Sequence, residues 1–193
     1  MAEARLPPAI VVIGASDGGL DPLRRITEAL PRNCNAAVFV AMHGCHPAML
    51  PEILRWHGSL AVLFAQDGTP VERGHVYVAP PDHHMLLETG RIRINRGPKV
   101  HSERPAADLL FVSAAEAYGR RVIGVVLSGI GSDGATGLVA IKRHGGCAVV
   151  EDPRDAPSPS MPDAAVAADA PECLRIGDLA RRVSDFCLSG IVV

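Results

Sequence analysis

The sequence predicts an α/β fold: a doubly wound, mostly parallel sheet of the Rossmann-like kind, with an antiparallel edge hairpin. Short runs of branched apolar residues alternate with helical patterns, which is typical of parallel strands buried on both faces. Two of these runs, at 10–13 and 122–127, lead straight into glycine-rich turns. Hydrophobic residues make up 48% of the chain and aromatic residues 4%, which favours packed α/β layers over an aromatic-rich sandwich. The 193 residues suffice for one sizeable core, so we expect one domain.

The first strand, 10–13, runs into Gly-Ala-Ser-Asp-Gly at 14–18, which fits the G-x-S-x-G pattern of a nucleophile elbow. Apolar residues at helical spacing follow from about residue 20, and Pro31 ends that helix. Such a turn presents Ser16 at the carboxyl edge of the sheet, where α/β folds place ligands and chemistry. The alternative is a plain tight turn in which Ser16 caps the helix.

The second buried strand, 36–42, ends at His43. With the first strand and its helix it forms a βαβ unit, in which both strands end at the same edge of the sheet. Ser16 and His43 are therefore predicted to be neighbours. A helix is expected at 47–56, with Pro47 near its start.

The remaining elements follow from apolar spacing and from the positions of glycine and proline. Thr89-Gly90 predicts the turn of the edge hairpin. Four prolines between residues 153 and 163 predict an irregular segment there. In order, the predictions are an apolar run at 60–66, a short strand within 71–79, hairpin strands at 85–88 and 91–94, helices at 105–118, 135–144, 163–168 and 176–186, and strands at 122–127 and 147–150.

Polar residues flank the hairpin on both sides. His83-His84, before it, is interpreted as a hydrated turn. The segment 95–104, after it, is predicted to be an exposed loop or to border the substrate site. Its basic residues are Arg96, Lys99, His101 and Arg104.

Ser16, His43 and Asp133 lie at the ends of three predicted parallel strands. Serine is a weak nucleophile until a base takes its proton, and histidine suits that task near neutral pH. A buried carboxylate then fixes the imidazole tautomer and stabilises the imidazolium. The order Ser, His, Asp differs from that of the α/β-hydrolases, but a triad is defined by geometry and role. Alternatively, His43 merely caps its strand and Asp133 is the N-cap of the next helix.

Other ligand classes find less support in the sequence. His43, Cys45 and His46 are close together, but no second cluster with ligand spacing accompanies them, so no metal is expected. A dinucleotide site is the competing interpretation, because a glycine-rich turn follows a strand. The glycines do not give G-x-G-x-x-G, and His43 stands where a ribose-binding Asp or Glu is expected. No cofactor is therefore expected.

The net charge and the hydropathy of the chain argue against nucleic-acid binding and against membrane insertion. The net charge is -2 with no long basic run, so a nucleic-acid partner is not expected. No stretch is long enough to cross a bilayer and no targeting segment is evident, so we expect a cytoplasmic protein without membrane insertion. The five cysteines are irregularly spaced and lack a C-x-x-C pair, which indicates reduced, mostly buried thiols.

With these residues in view, the chain resembles the catalytic domain of the CheB family, the chemotaxis protein-glutamate methylesterases, from about residue 9 to residue 176. The order and number of the matching motifs carry the resemblance, rather than any one of them. The motifs are Ile-Gly-Ala-Ser-Asp-Gly-Gly at 13–19, Met42-His43, Val-Tyr-Val-Ala-Pro-Pro-Asp at 76–82 with His84, Arg104-Pro105, Asp-Leu-Leu-Phe at 108–111, Leu-Ser-Gly-Ile-Gly-Ser-Asp-Gly-Ala at 127–135, and Met161-Pro162.

The resemblance implies that Ser16 is the nucleophile, His43 the general base and acid, and Asp133 the orienting carboxylate. It implies hydrolysis of glutamate methyl esters on a methyl-accepting chemoreceptor or similar methylated protein, releasing methanol, and often deamidation of receptor glutamines. It also implies that the backbone N–H of Ile130 helps to bind the oxyanion that develops in the tetrahedral intermediate.

Two features depart from the family pattern. Family members usually carry an N-terminal receiver domain, but here the first strand begins near residue 10. We therefore expect a single methylesterase-type catalytic domain over 1–193 without a receiver, either as a stand-alone enzyme or as part of a longer protein. Asp17 stands where the family usually has Thr or Ala. A carboxylate there either stabilises the imidazolium or repels the anionic product, so we expect Asp17 to alter turnover without replacing Asp133.

The alternative function is a non-catalytic relative that binds a receptor tail or another partner as a regulatory module. The presence of Ser16, His43 and Asp133 together favours the enzyme. The basic residues near 93–104 either meet the acidic helices of a receptor or form a solvated surface.

Overall fold

The structure is a computed structural model that describes residues 7–44, 47–168 and 172–190. Within these ranges the strands are β1 (Ala9–Ala15), β2 (Ala36–Met42), β3 (Ala61–Phe64), β4 (His75–Val78), β5 (His84–Glu88), β6 (Arg91–Asn95), β7 (Val122–Val126), β8 (Cys147–Glu151) and β9 (Glu172–Leu174). The α-helices are α1 (Leu20–Ala29), α2 (Leu50–His57), α3 (Ala107–Tyr118), α4 (Ala135–Arg143), α5 (Ser160–Ala167) and α6 (Ile176–Ser189), with short 3-10 helices at Pro47–Met49 and Gly119–Arg121.

Seven strands form one parallel sheet in the order β3-β4-β2-β1-β7-β8-β9. The chain leaves β1 on one side through α1 to β2, and it returns on the other side with β7. This reversal of direction creates a crevice at the carboxyl ends of the central strands, which is where open α/β sheets bind ligands. The predicted α/β fold class is confirmed.

Both faces of the sheet are covered, and β1 contributes to both cores because its side chains alternate between the two faces. Val11 and Ile13 pack in the core beneath α1, α2 and α6. Ile10 and Val12 pack in the opposite core, beneath α3, α4 and α5. A strand with no solvated face must be apolar along its whole length, which explains the continuous run of branched residues that predicted it.

The predicted antiparallel hairpin is confirmed as β5 paired with β6. It forms a two-stranded sheet of its own instead of extending an edge of the large sheet. Two hydroxyl groups of α3 take hydrogen bonds from the hairpin backbone: Leu87 N–H donates to Ser113 Oγ at 3.0 Å, and Gly90 N–H donates to the Tyr118 hydroxyl at 2.9 Å. The hairpin therefore rests on α3.

Three local predictions differ from the structure. The segment predicted to be irregular up to residue 163 turns helical at Ser160, because Pro162 falls in the first turn of α5, where proline is tolerated. The edge strand β9 was not predicted. The interpretation of His84 as part of a hydrated turn is wrong: the side chain is buried, its Nε2 donates to the Pro98 carbonyl at 2.9 Å, and Ala106 N–H donates to its Nδ1 at 3.2 Å.

Basic side chains of the segment 95–104 hold it against the rest of the protein. Arg96 and Arg104 both pair with Asp82, and His101 contacts Asp108. Because these basic side chains already contact carboxylates of the protein itself, less of their positive charge is available to bind an acidic partner.

The four cysteines in the described part of the chain form no disulfide, as predicted, while Cys45 lies outside it. Two are buried, Cys34 and Cys187, but Cys173 is exposed, so burial is less general than predicted. No helix in the described part of the chain is both long and apolar enough to span a bilayer.

Candidate active site

The candidate site lies where the three central strands end. Ala15 and Met42 are paired at the ends of β1 and β2, so Ser16 and His43 follow at adjacent positions on the same edge. His43 N–H donates to the Ala15 carbonyl at 3.1 Å and fixes the two chain segments together. Ser16 N–H donates to the Ser128 carbonyl at 3.0 Å and ties the first glycine-rich turn to the second.

The turn that carries Ser16 depends on glycines where two backbones approach closely. A Cβ on Gly19 would lie 2.6 Å from the Ser128 carbonyl oxygen, and one on Gly129 would lie 2.7 Å from Ser16 Cβ. Gly19, not Ser16, is the N-cap of α1, and no side chain caps that helix. The alternative in which Ser16 serves as a helix cap is therefore wrong, and the Ser16 hydroxyl makes no hydrogen bond within the described residues.

His43 and Asp133 form a buried pair, with 2.8 Å between His43 Nε2 and Asp133 Oδ2. The carboxylate also accepts hydrogen bonds from the first turn of α3: Ala107 N–H donates to Oδ2 at 2.6 Å and Asp108 N–H donates to Oδ1 at 2.9 Å. Gly134 is the N-cap of α4, without a side-chain cap. Asp133 is thus not the cap of its own helix, and the positive end of α3 stabilises its negative charge.

Burial alone would raise the pKa of Asp133. The hydrogen bonds from His43 and from the Asp108 and Ala107 N–H groups outweigh burial and lower that pKa below its ordinary value. An ionised carboxylate accepts hydrogen bonds only, so Nε2 of His43 must carry the proton of this contact. The basic lone pair of the ring is then on Nδ1, which is buried and lacks a hydrogen-bond partner among the described residues.

Backbone donors near Ser16 fall into two groups. Gly129 N–H donates to the Ser158 carbonyl at 2.9 Å, and Gly131 N–H donates to Ser160 Oγ at 3.1 Å. The N–H groups of Asp17 and Ile130 have no acceptor in the part of the chain that the structure describes. The residue after the nucleophile supplies an oxyanion donor in the G-x-S-x-G turn. The prediction from sequence names Ile130 alone as a candidate oxyanion donor, and the G-x-S-x-G motif adds the Asp17 N–H as a second candidate.

The Asp17 side chain is exposed and lies against Gly44, the residue after His43. A side chain at residue 44 would collide with the Asp17 carboxylate, and the φ of +102° at this position also requires glycine. Asp17 makes no ion pair within the described ranges. Its charge is therefore unpaired at the rim of the site.

A second buried carboxylate, that of Glu151, lies next to the glycine-rich turn at Ser128. Ser128 donates to Glu151 Oε2 from its N–H at 2.7 Å and from its hydroxyl at 2.8 Å. Burial raises the pKa of Glu151, and the two Ser128 hydrogen bonds only partly oppose this. Sequence reasoning did not single out Glu151, because a lone acidic residue at the end of a strand carries no distinctive signal.

The suggested cluster of metal ligands is not tested as a whole, because Cys45 and His46 lie outside the described residues. Among the residues that are described, no group of three or more His, Cys, Asp or Glu side chains is arranged to hold a metal ion.

Comparison with known proteins gives matches to one family. The CheB methylesterase family model matches residues 11–183. A protein-glutamate methylesterase/protein-glutamine glutaminase from Pyrococcus abyssi is 39% identical over 163 residues, which are 81% of this chain and 44% of that protein. Its namesake in Symbiobacterium thermophilum is 40% identical over 152 residues, 77% of this chain and 42% of that protein. The chain thus spans less than half the length of these curated relatives.

Two further matches cover most of the matched protein as well as most of this chain. A relative from Leptospira interrogans is 36% identical over 161 residues, which cover 82% of this chain and 83% of that protein. The crystal structure of the Thermotoga maritima CheB methylesterase catalytic domain superposes with a TM-score of 0.87 at 31% identity, covering 94% of this chain and 100% of that one. By the extent of the family match and by its close relatives, this chain belongs to the CheB methylesterase family.

Proposed function

We propose that this chain is a serine esterase that hydrolyses glutamate methyl esters on a methyl-accepting chemoreceptor or a similar methylated protein, with glutamine deamidation as a second reaction of the same site. The buried pair of His43 and Asp133, at the sheet edge where Ser16 follows β1, is the observation that carries the proposal. The names of the relatives from Pyrococcus and Symbiobacterium support the substrate class.

In the proposed reaction, the Ser16 hydroxyl attacks the ester carbonyl carbon while His43 Nδ1 takes its proton. Asp133 holds the ring in the Nε2–H tautomer and stabilises the imidazolium that forms. The ring is thus used in the opposite sense to that of the serine-protease template, in which Nδ1 faces the aspartate. Collapse of the tetrahedral intermediate releases methanol, which takes the proton from Nδ1, and leaves an acyl group on Ser16.

Water then attacks the acyl group with His43 as base, which releases the glutamate and regenerates Ser16. The oxyanion of both tetrahedral intermediates is bound by the N–H groups of Ile130 and Asp17, which are free to point at developing charge. The released glutamate is an anion, and the exposed Asp17 carboxylate lies beside the site from which it leaves. We therefore assign to Asp17 an effect on turnover, distinct from the orienting role of Asp133.

The proposal treats the described ranges as one catalytic domain that works in the cytoplasm as part of chemotactic signal transduction. The family match over residues 11–183 supports one catalytic unit. Cysteines that form no disulfide, as in the described residues, are typical of a reducing compartment.

The test is methanol release from methylated chemoreceptor membranes by the wild type and by Ser16→Ala. We expect release by the wild type and loss of at least about 10³-fold in the variant, because the attacking group is gone. A control variant, Ser59→Ala, removes a hydroxyl that bonds the Leu30 carbonyl in a different part of the molecule, and it should retain activity.

If the wild type releases no methanol, hydrolysis of a small activated ester separates the remaining possibilities. Activity on that ester alone would mean the proposed chemistry on a different substrate. Inactivity on both, with retained binding to receptor membranes, would contradict the enzyme and favour a regulatory binding module.

A further inference from the structure

Helices α3 and α4 exchange their N-terminal caps. Asp133, just before α4, accepts the Ala107 and Asp108 N–H groups of α3. In return, Asp108 of α3 accepts the Gly137 N–H of α4 at Oδ1, with a distance of 2.7 Å. Neither helix is capped by the side chain at its own N-cap position. Each carboxylate thus satisfies backbone donors that the other helix leaves without an intrahelical partner.

The packing around this exchange leaves little room for movement. A Cβ on Gly137 would lie 2.5 Å from Phe111 Cβ, and a Cβ on Gly14 of β1 would lie 2.7 Å from Ala107 Cβ. The first turn of α3 is therefore held between the strand that carries Ser16 and the helix that follows Asp133. Asp108 links the two helices directly, because its Oδ1 accepts a hydrogen bond from the Gly137 N–H of α4. Within the described residues, this is the one hydrogen bond between an α3 side chain and the α4 backbone.

We propose that Asp108 is a positioning residue for ester hydrolysis: by clamping the N-terminus of α4 to α3, it holds Asp133 in line with His43. The inference rests on the proposed function and assigns Asp108 no contact with the substrate. A misplacement of about 1 Å in a catalytic group lowers the rate on the order of 10²-fold. A substitution at a residue that sets this alignment should therefore lower kcat.

The surroundings of Asp108 indicate that its hydrogen-bonding geometry matters more than its charge. Burial raises the pKa of Asp108, and the neighbouring Asp133 carboxylate raises it further, while the Gly137 N–H and His101 oppose the change. His101 Nε2 lies 3.1 Å from Asp108 Oδ2, on the partly exposed side of the carboxylate. A neutral amide would keep the acceptor for Gly137 and remove a charge that repels Asp133.

Two substitutions separate geometry from charge. Asp108→Asn keeps the acceptor at the same reach, and we expect kcat within about fivefold of the wild type because the hydrogen bond survives. Asp108→Glu keeps the charge but moves the carboxylate by one methylene, and we expect kcat to fall by about 10²-fold. The KM should change little in either variant, because Asp108 does not touch substrate. If kcat is retained in Asp108→Asn but lost in Asp108→Glu, general destabilisation of the fold does not explain the difference.

Ser113→Ala is the matched control, since it removes a buried hydroxyl of the same helix that bonds the hairpin and the Leu110 carbonyl. It should lower the melting temperature and leave kcat unchanged. The rate at which a fluorophosphonate probe labels Ser16 is measured beside methanol release, because it reports activation of the nucleophile without needing the receptor.

The outcomes are distinguishable. Slow labelling of Asp108→Glu, with normal labelling of Asp108→Asn and Ser113→Ala, supports the inference. If both Asp108 variants are labelled like the wild type, or if the Asn variant is the slower one, the positioning role is overturned while the proposed function stands. If the wild type neither releases methanol nor is labelled, the proposed function fails and the inference falls with it.

Discussion

Two buried carboxylates lie close to the turn that carries Ser16, and their surroundings shift their pKa values in opposite directions. Asp133 and Glu151 are each only 2% exposed, and each accepts short hydrogen bonds. The pKa of Asp133 is lowered against the effect of burial, whereas burial keeps the pKa of Glu151 raised. Equal burial therefore does not shift the two pKa values in the same direction.

The difference lies in what surrounds each carboxylate. Asp133 has an imidazole and the positive end of a helix against it, so its charge is stabilised where the proposed mechanism needs a permanent anion. Among the described residues, Glu151 accepts hydrogen bonds only from the N–H and hydroxyl of Ser128, which are neutral donors, while the charges of Asp155 and Arg25 act on its pKa in opposite directions. The structure thus separates a carboxylate suited to stabilising an imidazolium from one suited to holding a backbone turn. Substitutions at these two carboxylates and at Asp17 test that separation.

The largest effect is expected for Asp133→Asn. An amide at this position can present its NH₂ group to the ring and favour the wrong tautomer, so we expect kcat to fall by about 10³ to 10⁴-fold. Methanol release at saturating receptor measures this. Asp67→Asn, at an exposed carboxylate that bonds the hairpin, is the control and should keep wild-type activity. Loss of less than tenfold in Asp133→Asn would contradict the orienting role.

Glu151→Leu should act mainly on stability. It leaves the Ser128 N–H and hydroxyl buried without their acceptor, and each such group costs about 1 to 3 kcal/mol. We expect the free energy of unfolding, measured with urea, to fall by roughly 2 to 6 kcal/mol. Glu151→Gln keeps an acceptor oxygen and should lose much less. Equal losses in the two variants would mean that the charge of Glu151, and not its hydrogen bonds, holds the turn.

The pH dependence of stability should have opposite signs for the two groups. Asp133, with a lowered pKa, stabilises the fold above its unfolded pKa of about 4, and that contribution is lost as the pH falls through its folded pKa. Glu151, with a raised pKa, binds its proton more tightly in the folded state, so it lowers stability as the pH rises from about 4.3 through its folded pKa.

Urea unfolding between about pH 3 and pH 8 measures these slopes. Glu151→Gln should gain stability relative to the wild type as the pH rises above about 4.3. The stability advantage of the wild type over Asp133→Asn should shrink as the pH falls below about 4. A common slope for the two pairs would contradict the contrast between the carboxylates.

The smallest effect is expected at Asp17, whose carboxylate is near the site but exposed. Because solvent screens such a charge, Asp17→Thr should change kcat by less than about tenfold. A larger loss than in Asp133→Asn would show that the two aspartates have been assigned the wrong roles.

The central part of the fold could be predicted from sequence because it is locally encoded. Strands buried on both faces are apolar throughout, and β2 was predicted with the bounds that the structure gives. Edge features were harder to predict. Strand β9 has only three residues and two of them are exposed, so no apolar run marks it. The hairpin was predicted as a unit, but its position on α3 depends on Ser113 and Tyr118, which are far away in sequence.

The candidate site, like the fold, could be predicted from the sequence only in part. The strand-end rule placed Ser16, His43 and Asp133 at one edge, since the topology fixes those positions. It gave no information on which ring nitrogen faces Asp133. It also missed Asp108, because an acidic residue in the first turn of a helix is usually explained by the dipole of its own helix. Its hydrogen bond to Gly137 belongs to a different helix and becomes visible only in three dimensions.

The central position of β1 also has a consequence for biosynthesis. Ile10 pairs with Val122, so one edge of β1 finds its partner more than a hundred residues later. At about 5 to 20 residues per second, a ribosome needs roughly 5 to 20 s to deliver that partner. During this interval β1 and β2 can pair, but an apolar strand edge stays open to other nascent chains. The turn that presents Ser16 lacks its Ser128 acceptor for the same time, so this turn is completed only after residue 128 has been made.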